Sequence, residues 1–215
     1  MAFLGLKVPH EAARLLSEVN YGGVGEREPL DHAHVTVLHL GKKVPIDNIC
    51  KAIIPMYEAV SQSAPFTAST SRVSVFTPHP DEGTVPVICP VDSPALHKLR
   101  SAVCASCDAA GVDYSKKFPD YNPHVTLAYS KEASTYENWA GDITFPAVEW
   151  GVHEIVLWGG DEGDKRIIIT FPMSISMTKE GLNRAFVQLA QRWSTSQVLD
   201  VSNLWGRRSA NSAFP

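Results

Sequence analysis

Apolar positions along this chain recur with a period of two in several short runs and with a helical period in the stretches between them. Residues 2–8 alternate weakly and predict a strand. Residues 10–19 predict a helix opened by Pro9, with Ala12, Leu15, Leu16 and Val19 on one face. Residues 21–29, with Gly22, Gly23 and Gly25, predict a loop open to two readings, a lid over a cleft or a plain flexible connection. Residues 31–40 alternate as a strand. Residues 45–61 form an amphipathic helix pattern with Ile46, Ile49, Ile53 and Met56 as its stripe. Residues 66–77 and 84–91 predict a hairpin around a turn that holds His79, expected to be exposed and inert. Ser93 and Pro94 supply an N-cap and first helical position for a helix to about residue 110, ended by Gly111, with Leu96, Leu99, Val103 and Cys107 inward.

Residues 112–120 lead into another strand. Residues 140–158 predict one or two strands, and residues 165–173 return after a turn at 159–164, a pair expected to complete the second half of the molecule. Residues 179–193 predict a helix with Leu182, Ala185, Phe186, Leu189 and Trp193 along one stripe. The polar tail beyond it is expected to be disordered from residue 206. The domain division that follows is 1–177 for one domain and 178–215 for a C-terminal helix and tail.

Two of the predicted strands carry one pattern. His34-Val35-Thr36-Val37 recurs 90 residues later as His124-Val125-Thr126-Leu127. On a strand, His34 and Thr36 share one face while Val35 and Val37 take the other, and the second copy repeats the arrangement. Two such strands meeting across a cleft set two imidazoles and two hydroxyls around one space. A neutral imidazole accepts a proton from an attacking oxygen, and an imidazolium donates one to a leaving oxygen. An ordinary histidine pKa near 6.5 makes both forms accessible at neutral pH. The threonine hydroxyls suit the non-bridging oxygens of a phosphate. Lys116, Lys117, Phe118 and Tyr121, just ahead of the second motif, are candidates for the cleft rim: cations for phosphate, aromatics for base stacking. Tyr129, on the face away from His124, is expected in the core.

On these motifs the chain resembles the 2H phosphoesterases, over roughly residues 3–172, with the opening Phe3-Leu4-Gly5-Leu6-Lys7-Val8-Pro9 fitting their first strand and helix. The stretch Pro119-Asp120-Tyr121-Asn122-Pro123-His124-Val125-Thr126-Leu127, followed by Tyr129, is most similar to the second motif of phage anti-CBASS nucleases, which cleave cyclic oligonucleotide messengers. The bacterial RNA cyclic-phosphodiesterase branch often carries an arginine just after this motif; here the chain runs Ala128-Tyr129-Ser130. The resemblance implies an α+β fold of two lobes. Each would be an antiparallel sheet with outer helices, related by a pseudo-two-fold axis, with His34, Thr36, His124 and Thr126 converging in the groove. It implies a phosphodiesterase that needs neither metal nor cofactor and acts on a cyclic di- or oligonucleotide. Two rivals stand beside it: a 2H enzyme acting on RNA 2′,3′-cyclic phosphate ends or 2′–5′ bonds, and a nucleotide-binding sponge that does not cut.

Composition narrows the partners. Net charge is −4, with 20% charged residues, which argues against a broad basic surface for long nucleic acid. No apolar run reaches membrane-span length, and the first residues lack a secretory pattern, so a cytoplasmic setting is expected. His32 and His34 raise a His-x-His metal pair, but no third ligand stands at useful spacing. Cys50, Cys89, Cys104 and Cys107 are read as reduced thiols, since Cys104-x-x-Cys107 lacks a partner pair. Trp205 and its neighbours are open to packing on the domain, capping a cleft, or joining a second copy as a homo-oligomer.

Overall fold

The structure, a computed structural model, describes residues 1–78, 83–117, 119–132, 134–139, 141–159, 165–175 and 178–192. In chain order these form β1 (Ala2–Lys7), α1 (His10–Ser17), β2 (Glu26–Arg27), a 3₁₀ turn (Leu30–His32), β3 (His34–Gly41) and α2 (Ile46–Ser61). There follow β4 (Phe66–Val75), β5 (Val85–Pro90), α3 (Pro94–Ala109), β6 (His124–Ser130) and α4 (Ser134–Glu137). The chain closes with β7 (Ile143–Val152), β8 (Glu154–Gly159), β9 (Arg166–Pro172) and α5 (Lys179–Arg192). His79 and the tail from residue 193 onward lie outside the described residues.

The strands run β7-β4-β5-β6-β3-β1-β8-β9, all neighbours antiparallel, with β2 added on β6. Four strands lie on either side of the β6–β3 contact, the expected two halves. They are fused rather than separate: a single pair, Val35 with Val125, joins β3 to β6. Both valines are essentially fully buried, so each contributes about 1.5–3 kcal/mol to that joint. Beneath this face α2 and α3 pack together, α3 also on β3, and α2 and α5 on β9. Leu96, Leu99, Val103 and Cys107 turn into this core as their spacing predicts.

Three expectations are corrected. The β8–β9 hairpin completes the first half, not the second, because β8 pairs with β1 (Phe3 with Trp158, Leu4 with Leu157) while β7 pairs with β4. Leu15 is 39% exposed, because α1 ends at Ser17 and presents only Ala12, Ala13 and Leu16 to the core. Ser93 and Pro94 do stand at the N-cap and first position of α3 as expected, although the Ser93 side chain makes no capping hydrogen bond. Tyr129 is 37% exposed, since the face it shares with Leu127 runs out of core at the end of β6.

The glycine-rich loop is neither lid nor free connection. Glu26 and Arg27 pair with Tyr129 and Ala128, and the Glu28 amide donates to the Leu127 carbonyl at 2.9 Å. Arg27 adds a bond to the Ser17 carbonyl and lies over the Tyr21 ring at 5.0 Å. The segment is a wedge that takes over the β6 edge where β3 departs from it.

Candidate active site

Burial along the two motif strands alternates as a half-exposed strand should. Val35, Val37, Val125 and Leu127 are buried, and His34, Thr36, His124 and Thr126 are half-buried on the opposite face. With Val35 opposite Val125 in an antiparallel pair, one step along the ladder sets His34 beside Thr126 and Thr36 beside His124. The four residues therefore stand together where the two halves of the sheet join. Gly5, opposite Thr36 in β1, brings no side chain to this face. A Cβ there would stand 2.7 Å from the Val35 carbonyl oxygen.

Each histidine opens its strand and is fixed in the same way. His34 Nδ1 lies 2.6 Å from the His32 carbonyl oxygen, and His124 Nδ1 lies 2.7 Å from that of Asn122. A carbonyl only accepts, so Nδ1–H is the donor in both, and in the neutral ring the lone pair resides on Nε2. His32 thus serves His34 through its backbone, from a 3₁₀ turn instead of the same strand, so the pair does not form a His-x-His metal face. Among the described residues no three His, Cys, Asp or Glu side chains gather as a metal site. Cys107 is held protonated by burial, which pushes its thiol up to about 12.

Aromatic walls flank both rings. Phe3 packs 4.7 Å from His34 and Trp158 5.8 Å from it, while Phe76 meets His124 edge-on at 4.7 Å. The Trp158 indole N–H is buried without a partner among the described residues, a donor left over beside His34. Burial drives the His34 imidazole down to about 4, against the His32 carbonyl, which raises it; Lys165, His124 and His32 add positive charge that lowers it further. His124 is lowered too, by burial, with the Asn122 carbonyl opposing. A positive charge on His124 would lower the His34 imidazole further.

Of the expected rim residues, Tyr121 and Lys116 stand elsewhere. The Tyr121 hydroxyl donates to the Thr36 carbonyl at 3.0 Å, and its ring packs between His97 at 5.2 Å and the Arg100 guanidinium at 4.8 Å. Burial raises its phenol well above the usual range. Arg100 in turn donates to the Val37 carbonyl at 2.6 Å. Val37 is the bulged residue of β3, skipped between the pairs Gly5–Thr36 and Leu4–Leu38. Tyr121 therefore braces the first His-x-Thr strand from its edge instead of offering a stacking face. Lys116 bonds Asp108 at 2.9 Å and covers the Tyr114 ring at 3.6 Å, in an open groove of about 370 Å³ along α3. Lys117 is exposed next to it, and Phe118 lies outside the described residues.

Sequence reasoning missed Phe3, Phe76, Trp158, Lys165 and Glu28. Lys165 and Glu28 form an ion pair only 17% and 12% exposed. None of the five lies within a His-x-Thr motif; only Phe3, in the opening strand that fits the family and on the Gly5 face by its alternation, carried a signal.

The arrangement is matched by a family model. The model of the 2′-5′ RNA ligase superfamily matches residues 8–164, which include both His-x-Thr strands. The chain belongs to this superfamily. Members of the 2′-5′ RNA ligase superfamily are 2H phosphoesterases, enzymes of phosphodiesterase type. Solved structures share the fold. TT0787 of Thermus thermophilus is 20% identical with a TM-score of 0.60, over 80% of this chain and 97% of that one. E. coli LigT with 3′-AMP is 15% identical with a TM-score of 0.60, over 81% of this chain and 98% of that one. A structure titled only as a phosphoesterase is 15% identical with a TM-score of 0.59, over 81% and 98%. No curated protein sequence matches. Among the described residues no helix is long and apolar enough to cross a membrane.

Proposed function

We propose that the protein cleaves the phosphodiester of a cyclic di- or oligonucleotide messenger, as an anti-CBASS enzyme would, with the two histidines dividing the proton transfers. One observation carries the mechanism: both imidazoles are clamped through Nδ1–H to a carbonyl two residues back, at 2.6 and 2.7 Å, so both Nε2 atoms are the proton-transfer positions. Thr36 and Thr126 stand beside them to bond the non-bridging oxygens, whose charge grows in the transition state. In a 3′–5′ linkage the ribose 2′-hydroxyl is held next to phosphorus, an intramolecular placement worth up to about 7–11 kcal/mol in ideal geometry. Its attack yields a 2′,3′-cyclic phosphate, which water opens in a second step. The resemblance of residues 119–129 to the anti-CBASS motif supports this substrate class, as does the net charge of −4, which disfavours long RNA.

A second reading, action on RNA 2′,3′-cyclic phosphate ends, is supported by the superfamily itself and by the 3′-AMP bound to E. coli LigT. The deciding experiment is turnover in excess EDTA on cyclic dinucleotides, cyclic trinucleotides and RNA with a 2′,3′-cyclic phosphate end. His34→Ala and His124→Ala serve as controls. Loss of one acid–base residue is expected to cost about 10²–10⁴-fold on a cyclic oligonucleotide. Turnover of the RNA end alone selects the second reading. Tight binding with no turnover refutes both and leaves a sponge.

A further inference from the structure

The two histidines are near-equivalents by motif, clamp and burial, yet the charged groups around them differ. Lys165, directly ahead of β9, is half-buried in an ion pair with Glu28 of the wedge. Glu28 is fixed by its own amide to the Leu127 carbonyl of β6. The pair therefore ties the two halves together beside the cleft, and the lysine's charge acts on His34. The charged and titratable groups facing His34 from the surrounding elements are Lys165 before β9, His124 on β6, His32 in the 3₁₀ turn and Lys7 opposite it on β1. All four are basic side chains. Glu28 is the carboxylate among them, and it is committed to Lys165.

We propose that the Lys165–Glu28 pair sets the direction of proton transfer, making His34 the proton acceptor and His124 the proton donor in the cleavage proposed above. Lys165 is a positioning residue: it acts through His34, adding its charge to the burial that keeps that ring unprotonated at the moment of attack, while Glu28 keeps the lysine in place. The inference rests on the phosphodiesterase reading. In the step, the ribose O2′–H bond breaks and its proton passes to His34 Nε2 as O2′ bonds phosphorus. The P–O5′ bond breaks, and O5′ takes the proton from His124 Nε2. The products are a 2′,3′-cyclic phosphate and a 5′-hydroxyl, with no other reactant.

Two measurements on the full chain test this. The first follows the imidazole titrations by NMR in wild type, Lys165→Met, Lys165→Arg and Glu28→Gln. Removing the lysine is expected to raise the His34 midpoint by on the order of half a pH unit or more. His124 should move less, Arg should restore the wild-type value, and Glu28→Gln, which keeps the cation, should not raise it. If Lys165→Met does not fold, the double change with Glu28→Gln removes the pair without leaving a buried lone charge. A mere tie between the halves would weaken stability alike in Lys165→Met and Glu28→Gln and leave His34 unmoved, which overturns the proposal.

The second measurement uses a ribonucleoside 3′-(4-nitrophenyl phosphate), whose leaving oxygen departs without a proton. His124→Ala should stay within about tenfold of wild type on it, while His34→Ala loses about 100-fold or more. Equal losses, or the reverse order, overturn the assignment. If the wild type turns over no phosphodiester at all, the function reading fails and the transfer direction falls with it. The titrations still show whether Lys165 makes the histidines unequal.

Discussion

Gly25→Ala tests the wedge at its tightest point. Gly25 has φ +85°, and a Cβ added there would stand 2.7 Å from the Tyr129 carbonyl carbon and oxygen and 2.8 Å from the Ser130 nitrogen. These are backbone atoms of β6, held by β5 on the other edge, so the neighbour cannot yield without breaking a ladder. Two costs follow. A left-handed conformation for a residue with a Cβ costs about 1–2 kcal/mol, and overpacking against a fixed wall about 1–3 kcal/mol. Gly23→Ala is the matched control: its φ is +67°, but nothing lies within 4 Å of its added Cβ, so only the first cost applies. Urea unfolding should place Gly25→Ala below Gly23→Ala by about 1–3 kcal/mol. Amide exchange should show the Glu28 N–H, bonded to the Leu127 carbonyl at 2.9 Å, losing protection in Gly25→Ala alone. Equal stabilities within about 0.5 kcal/mol, with Glu28 still protected, would refute the docking of residues 25–28 on β6.

Three further outcomes are expected. Tyr121→Phe removes the 3.0 Å bond to the Thr36 carbonyl, so it should cost about 0.5–1.5 kcal/mol in denaturant melts. It should lower kcat more than it raises KM, because the Thr36 strand loses its brace. His34 sits near 4 in the folded protein against an ordinary 6.5, so the unfolded chain takes up its proton first as pH falls. Its contribution is whole above 6.5, declines between 6.5 and 4, and reaches at most about 3 kcal/mol, less for the part of the ring open to water. His34→Gln should flatten stability against pH across that window in urea melts. Phe76→Ala strips the edge-on wall 4.7 Å from His124; as burial is what lowers that ring, NMR should find its midpoint raised toward 6.5.

The period-two strands, the helical stripes of α2 and α3 and the pairing of β4 with β5 were legible because each is a local pattern whose burial follows from alternation or from 3.6-residue spacing. The His-x-Thr face was legible for the same reason, and its recurrence supplied the second half. What eluded the sequence depends on packing between distant segments. Tyr121 and Lys116 precede a motif strand, but nothing local tells whether that approach passes in front of the sheet or along its edge beside α3. Lys165 and Glu28 are 137 residues apart, and neither lies in a pattern of its own. The alternation of the β8–β9 hairpin states that it pairs, not which open edge receives it, so its half of the sheet is not legible in sequence. That edge belongs to β1, at the other end of the chain.

The two approach segments explain how near-identical motifs come to unequal surroundings. Residues 26–28, just before β3, cover the β6 edge beyond Val125, at Tyr129, Ala128 and Leu127. Residues 115–121, before β6, cover the β3 edge beyond Val35, with the Ser115 amide on the His39 carbonyl at 2.8 Å and the Tyr121 hydroxyl on Thr36. Each motif strand thus touches the other at one pair and gives its remaining edge to the other's approach. This crossing keeps the histidines at a common pivot while letting the approaches differ in chemistry. One brings Glu28, and through it Lys165, to the His34 side. The other brings Tyr121 with Arg100 behind Thr36. Inequality between the imidazoles is therefore a property of the approaches. Removing the Lys165 charge should narrow the difference between the two imidazoles while leaving both His-x-Thr strands in place.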